Sequence, residues 1–435
     1  MLRGASAKQD IRQRNACVDD IMKTSTQRIL TTHTGSLHRP KDLEELYRKK
    51  LAGEPYDESA LEQRLRSSVA EIVRKQVDIG IDIIDDGEFS KVDFFNYAKY
   101  RMDGVERRPV PKQTDSIRGA NPFLNPQMKS VMSSVALRRR FSEFYTDTEP
   151  PGGATSPPNV IQFWMPLGTA VEPPALYAVV GPLKYKPAEV QRDIDNFKAA
   201  LAGVTVEDVF MPVVAPAMFA TRHINEYYRS EEEYYFAVAD VLHDEYKALV
   251  DAGFLIQIDD VSLPGRYRIQ VPEEGIEAFR AWMDLAVRAL NHALRGIPEE
   301  KVRYHLCWSS QNTPHTDDAP LSDFMEAMLK INAQGYQIEA SNVRHGHEWV
   351  TWKAFKIPDH KIAMPGVICH ATNVIEHPEY VSQLIRNYTD VLGRERVIAA
   401  TDCGFRWRVH PQIAWAKLEA LVEGARLASK VLWRG

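Results

Sequence analysis

The chain has 435 residues, 44% hydrophobic and 26% charged, with a formal net charge of −5. That length suits one barrel with insertions, and the absence of a broad basic excess argues against a nucleic-acid partner. No apolar run approaches the roughly 18 residues that cross a bilayer, so no membrane partner is expected. Four cysteines in this length are too sparse for a disulfide framework, which fits a reducing cytoplasm.

The opening stretch, MLRGASAKQDIRQRNACVDDIM, is polar and lacks the apolar segment of a secretory signal. Residues 1–25 are expected to form a disordered tail, and Met22 is an alternative start. From 26 to 435 the chain reads as a single domain in which strand-like and helix-like stretches alternate. RILTTHTGS is a strand running into a loop. DESALEQRLRSSVAEIVRKQVDIG carries Leu61, Leu65, Val69, Ile72, Val73 and Val77 at helical spacing, and IDIIDDGE is a buried strand ending in acids. Residues of about 105–165 break the pattern with runs dense in Pro, Gly and Ser. They are expected to be an insertion, either a lid or an oligomer contact, which leaves a homo-oligomer open.

Strands are expected at 28–33, 81–86, 209–214, 254–259, 302–307, 336–340, 365–371 and 396–401, with another at 177–181 outside that set. Eight strands separated by helices predict an α/β fold of the (β/α)8 TIM type, with an open doubly wound sheet as the alternative.

His305-Leu306-Cys307 is the sharpest local signal. In a strand, positions i and i+2 face one side, and imidazole with thiolate is a donor pair suited to zinc. Glu339 ends the strand YQIE, and Cys403 ends RVIAATDC. In a barrel, C-terminal strand ends meet at one face, so these four residues can converge. Ser36, Glu88 and Asp259 also follow apolar strands. Alone such residues cap helices; gathered at one mouth they can hold a small zwitterion.

The motifs TTHTGSL, DGEF, QIDD, HLC, IEAS and TDCG, in this order, resemble the catalytic half of the cobalamin-independent methionine synthase family. The resemblance implies a TIM-type barrel and Zn2+ held by His305, Cys307, Glu339 and Cys403. It also implies a homocysteine-like thiol bound by Ser36, Glu88 and Asp259, and methyl transfer from an alkyl donor. The family's proton-transfer histidine corresponds to His370 only with a one-residue shift. The family's folate-facing loop carries a stacking tryptophan; here MPVVAPAMF has Met218 and no Trp. The donor is therefore open between folate and methylcobalamin. A second enzyme reading resembles epoxyalkane:coenzyme M transferase, and a third is a non-catalytic zinc-binding protein. Arg344, His345 and His347 lie outside the family pattern and read either as an anion-binding group or as a solvated loop.

Overall fold

Seven apolar runs form one parallel sheet, and helices rich in spaced Leu, Ile and Val cover its outer face. A computed structural model describes residues 21–92, 94, 96–108, 135–144, 176–308 and 314–434. Its strands are β1 (Ile83–Ile84), β2 (Met102–Arg108), β3 (Leu176–Tyr185), β4 (Asp208–Val214), β5 (Ile224–Asn225), β6 (Leu255–Asp260), β7 (Val302–Leu306), β8 (Gly335–Ile338), β9 (Ile362–Ile368) and β10 (Ala400–Thr401). The large sheet has the order β1-β4-β6-β7-β8-β9-β10.

The expected strand at 28–33 contracts to two residues that join the sheet's edges. Thr31 pairs in parallel with Ala399, and Thr32 with Ile83. Thr32 N–H donates to the Ala399 carbonyl at 2.9 Å, and Ile83 N–H to the Thr31 carbonyl at 3.0 Å. The curled sheet thus meets itself through this eighth segment, as a TIM-type barrel does. β3 lies outside the barrel, as expected of 177–181. It pairs antiparallel with β2 and parallel with β5 in a separate three-stranded sheet. β2 starts before the expected insertion at 105–165 and runs into it. A helix at Val135–Arg140 is also described there; the rest of that insertion lies outside the described residues.

The outer helices follow ordinary local rules. Glu58–Ile79 starts where Asp57 accepts from Ala60 N–H and stops at Gly80, whose φ of 91° suits a residue without a Cβ. Its buried face is Leu61, Leu65, Val69, Ile72 and Val73, as the spacing predicts, with Val77 only partly buried. Each fully buried side chain of this size contributes about 1.5–3 kcal/mol.

Inside the barrel, alternate strand residues stack in layers. The floor is apolar, with Leu30, Ile83, Phe210, Leu255, Met364 and Ile398 packed together. Met22 joins this cluster, and its N–H donates to the carbonyl of Glu300, just before β7. Met22 and Ser25 are buried, although both fall in the stretch expected to be a disordered tail; residues 1–20 lie outside the described residues. Met22 fills the end of the barrel where its strands begin.

Above the floor sits a polar layer. Arg303 donates to Thr32 Oγ1 at 3.0 Å and to Gln337 Oε1 at 2.8 Å, and its guanidinium lies 3.9 Å from the Phe210 ring centroid. Gln337 donates onward to Thr34 Oγ1 at 2.6 Å and to the Thr401 carbonyl at 2.8 Å. These bonds tie non-adjacent strands together. The functional side chains occupy the next layer.

Candidate metal centre

Two residues further along the same strand faces stand Asp259, His305 and Glu339, followed by Cys307. Asp259 lies opposite His305 in the β6–β7 ladder, and His305 opposite Gln337 in the β7–β8 ladder. Cys403 follows β10. The ligand atoms of His305, Cys307 and Cys403 all lie within 4.8 Å of one another. The two sulfurs are 3.8 Å apart, far beyond a disulfide bond. Two sulfurs on a tetrahedral zinc, each bonded at about 2.3 Å, stand about 3.8 Å apart. Among the described residues, neither ring nitrogen of buried His305 bonds a nitrogen or oxygen, and the ring interacts with the Cys403 sulfur. Two thiols and an imidazole at this spacing fit zinc in donor type and separation.

The charges agree with that fit. The hydrogen bond from Cys307 holds the Cys403 thiol well below the ordinary cysteine range, and the nearby His305 and His370 rings act in the same direction. The same bond, with burial added, pushes Cys307 up. Burial alone would lower the pKa of His305, but Cys403, Asp259 and Glu339 outweigh it and raise it. The metal-free cluster therefore carries protons that an entering cation would displace.

Glu339 stands beside this trio rather than within it. Its Oε1 accepts from Trp308 N–H at 2.7 Å and its Oε2 from the Asn342 side chain at 2.8 Å. Both carboxylate oxygens are thus already bonded within the protein. The sequence did not single out the residue that organises this side of the site, Asp402. It is fully buried, and it accepts from Ala340 N–H at 2.7 Å, Ser341 N–H at 3.0 Å, Ser341 Oγ at 2.7 Å and Asn342 N–H at 3.1 Å. One carboxylate next to Cys403 therefore fixes the loop that follows Glu339. Burial and the facing Glu339 push its pKa up to about 7, against those hydrogen bonds. Gly366 allows the close approach, since a Cβ there would come within 2.5 Å of Asp402 Cα.

The residues expected to hold an amino acid gather at the same mouth. Glu88 is buried and adopts a φ of 56°, a left-handed conformation uncommon for a side chain of this kind. Lys91 Nζ lies 3.6 Å from its Oε2. Gly35 is squeezed between strands, and a Cβ on it would fall 2.8 Å from Glu88 Oε1 and 3.1 Å from Asp85 Oδ2. Asp85 is a further buried acid of this group, and its Oδ2 has no hydrogen-bond partner among the described residues. Burial, with Glu88 adding to it, pushes the Asp259 carboxyl up to about 8, against His305 and Lys91. The Ser36 carbonyl accepts from Phe405 and Arg406 N–H at 2.9 and 3.1 Å, and a Cβ on Gly404 would fall 2.8 Å from the Ser36 Cβ. Ser36 therefore lies against the loop that carries Cys403.

His370 follows β9 and is fully buried, with neither ring nitrogen hydrogen-bonded among the described residues. Burial pushes its pKa down to about 4, and Cys403, Glu339 and His305 all act on it. Met218 is buried in the helix Pro216–Ala220 and offers no open face for stacking. Arg344 and His347 are exposed, whereas His345 is buried. Among the described residues, no helix is long and apolar enough to cross a membrane.

Comparison with known proteins agrees with the motif resemblance. Residues 218–427 match the family model described as the catalytic domain of cobalamin-independent synthase. The chain is 25% identical over 404 residues to a methionine synthase of Sulfurisphaera tokodaii, which covers 92% of this chain and 93% of the relative. It is 28% identical over 258 residues to a methionine synthase of Thermococcus kodakarensis, covering 59% of this chain and 67% of the relative. A B12-independent methionine synthase from a Shewanella species, solved with selenomethionine, shares the fold. Its TM-score is 0.64 at 20% identity, over 93% of this chain and 99% of that one.

Proposed function

We propose that this chain, similar to the methionine synthases, is a zinc-dependent S-methyltransferase acting on a homocysteine-like thiol. The observation that carries the reading is the convergence of His305, Cys307 and Cys403 within 4.8 Å at the mouth of the barrel. Glu339 is the fourth donor, brought in from its hydrogen bonds to Trp308 and Asn342.

Bound zinc would hold an entering thiol as thiolate at neutral pH, where a free thiol with a pKa near 8.5 is mostly protonated. The chain's own residues do the rest. Glu88 and Asp259, with Asp85 behind them, offer carboxyl groups to the ammonium of an amino-acid thiol. Its charge would favour the ionised form that burial opposes in Asp259 and Asp85, and such a group suits an ammonium better than a sulfonate. That preference favours the methionine synthase reading over a coenzyme M-type thiol. Ser36, held beside the Cys403 loop, binds the amino acid on its other side. His370 is neutral at pH 7, and we assign it the relay of the proton that the thiol releases, since a ring whose pKa is pushed down to about 4 passes a proton on rather than keeping it. Burial of the cluster excludes water from the sulfur and orients it toward the methyl carbon.

Replacement of one sulfur donor tests the reading. Cys403→Ser should lose most bound zinc and most thiol-methylation activity while keeping the far-ultraviolet spectrum of the parent. Retention of both zinc and rate in that variant contradicts the assignment.

A further inference from the structure

The segment SNVRHGHEW after Glu339 belongs to no part of the mechanism above, yet one of its residues is tied into the metal centre's supports. His345 is 3% exposed. Its Nε2 lies 3.1 Å from Asp318 Oδ2 and its Nδ1 3.1 Å from Glu348 Oε1. Its ring stacks on the Trp308 indole with centroids 4.1 Å apart and planes 26° apart. Asp318 also takes His315 Nδ1 at 2.8 Å and pairs with Arg268. Burial would lower the pKa of His345, but the two carboxylates win and raise it to about 9, so the ring is a cation. His345 thus faces carboxylates of its own cluster, while Arg344 and His347 stand exposed beside it.

Two routes lead from His345 to Glu339, one from its ring and one from its backbone N–H. Trp308 is held at its carbonyl by Arg268 at 2.6 Å, at its indole N–H by the Ala319 carbonyl at 2.8 Å, and on its face by His345. Its own N–H holds Glu339 Oε1. On the other side, His345 N–H donates to Asn342 Oδ1 at 3.0 Å, and the Asn342 amide holds Glu339 Oε2. The loop after β7 and the loop after β8 are joined through His345, and both deliver a hydrogen bond to one carboxylate.

We infer that His345 is a positioning residue for the metal centre: by clasping the two loops it sets where Glu339 stands and how readily it reaches the metal. This rests on the zinc reading above. Groups that orient metal ligands from behind typically change metal affinity by about 10- to 100-fold when removed.

The test uses the full chain loaded with zinc, or with cobalt as a spectroscopic stand-in. His345→Phe keeps the stack on Trp308 and removes both ion pairs; His345→Gln keeps polarity and removes the stack. Zinc affinity is read by competition with a chromophoric chelator, and ligand geometry by the visible absorption of the cobalt form. The expected result is zinc binding weakened about tenfold or more in at least one folded variant, with an altered cobalt spectrum. In a Glu339→Gln background the same substitution should change affinity less than twofold, because its effect passes through Glu339. Wild-type affinity and spectrum in both variants, or an undiminished effect without Glu339, overturns the inference while leaving the metal centre standing. Failure of the wild-type protein to bind zinc overturns the metal reading and this inference together.

Discussion

Asp402→Ala removes an acceptor that serves three backbone N–H groups and one hydroxyl at once. A buried donor left without a partner costs about 1–3 kcal/mol. Ala340 is buried, so its N–H bears that cost in full, whereas Ser341 and Asn342 are partly exposed and water can reach them. The summed loss is then about 2–4 kcal/mol, well below what four fully buried donors would give. Asp402→Asn keeps one oxygen for two of the donors and turns an amide toward the others, which should cost about half as much. Urea unfolding followed by tryptophan fluorescence measures the stability, and chelator competition measures zinc. Both variants should bind zinc at least tenfold more weakly, because the Glu339 loop loses its anchor. If Asp402→Ala unfolds within about 0.5 kcal/mol of wild type and holds zinc equally well, the loop is not anchored as described.

Two further outcomes follow from the same geometry. A His345 pKa raised from 6.5 to about 9 corresponds to about 3 kcal/mol of stability, fully present below the unfolded value and lost as pH rises through the folded one. Unfolding free energy should therefore fall between about pH 6.5 and pH 9 by more in wild type than in His345→Phe, and equal slopes in urea titrations count against the ion pairs. Asp259→Asn should weaken homocysteine binding by about tenfold or more, the worth of one charge-assisted hydrogen bond, while zinc affinity stays nearly unchanged; calorimetry that finds homocysteine affinity unaltered removes Asp259 from the amino-acid site.

Much of the barrel was legible because its strands are buried on both faces and read as continuous apolar runs. The β6–β9 strands begin within a few residues of their expected positions. The ends were harder. The segment at 28–33 pairs through Thr31 and Thr32 only, and 396–401 forms a strand only at Ala400–Thr401, because short pairings at the closure of a barrel leave little periodicity. The 177–181 run was correctly set apart, but its partner β2 was hidden at the edge of the Pro- and Gly-rich stretch. At the site, i and i+2 alternation was enough to place His305 with Cys307, and strand-end position brought in Cys403. Asp402 went unassigned, although it lies inside the TDCG motif, because an acid beside a cysteine in a loop reads as a turn residue. The His345 clasp had one local trace, a histidine and a glutamate one helical turn apart. Its other half, Asp318, comes from a different loop, and spacing along one strand or helix cannot report a contact between loops.

Zinc-edge X-ray absorption on the purified protein, with and without homocysteine, tests the central claim most directly. A zinc shell of one nitrogen, two sulfurs and one oxygen should exchange the oxygen, supplied by Glu339, for a third sulfur when homocysteine is added. A shell that stays unchanged with homocysteine and with every other thiol offered would contradict it, and would leave zinc, if bound, as a structural ion.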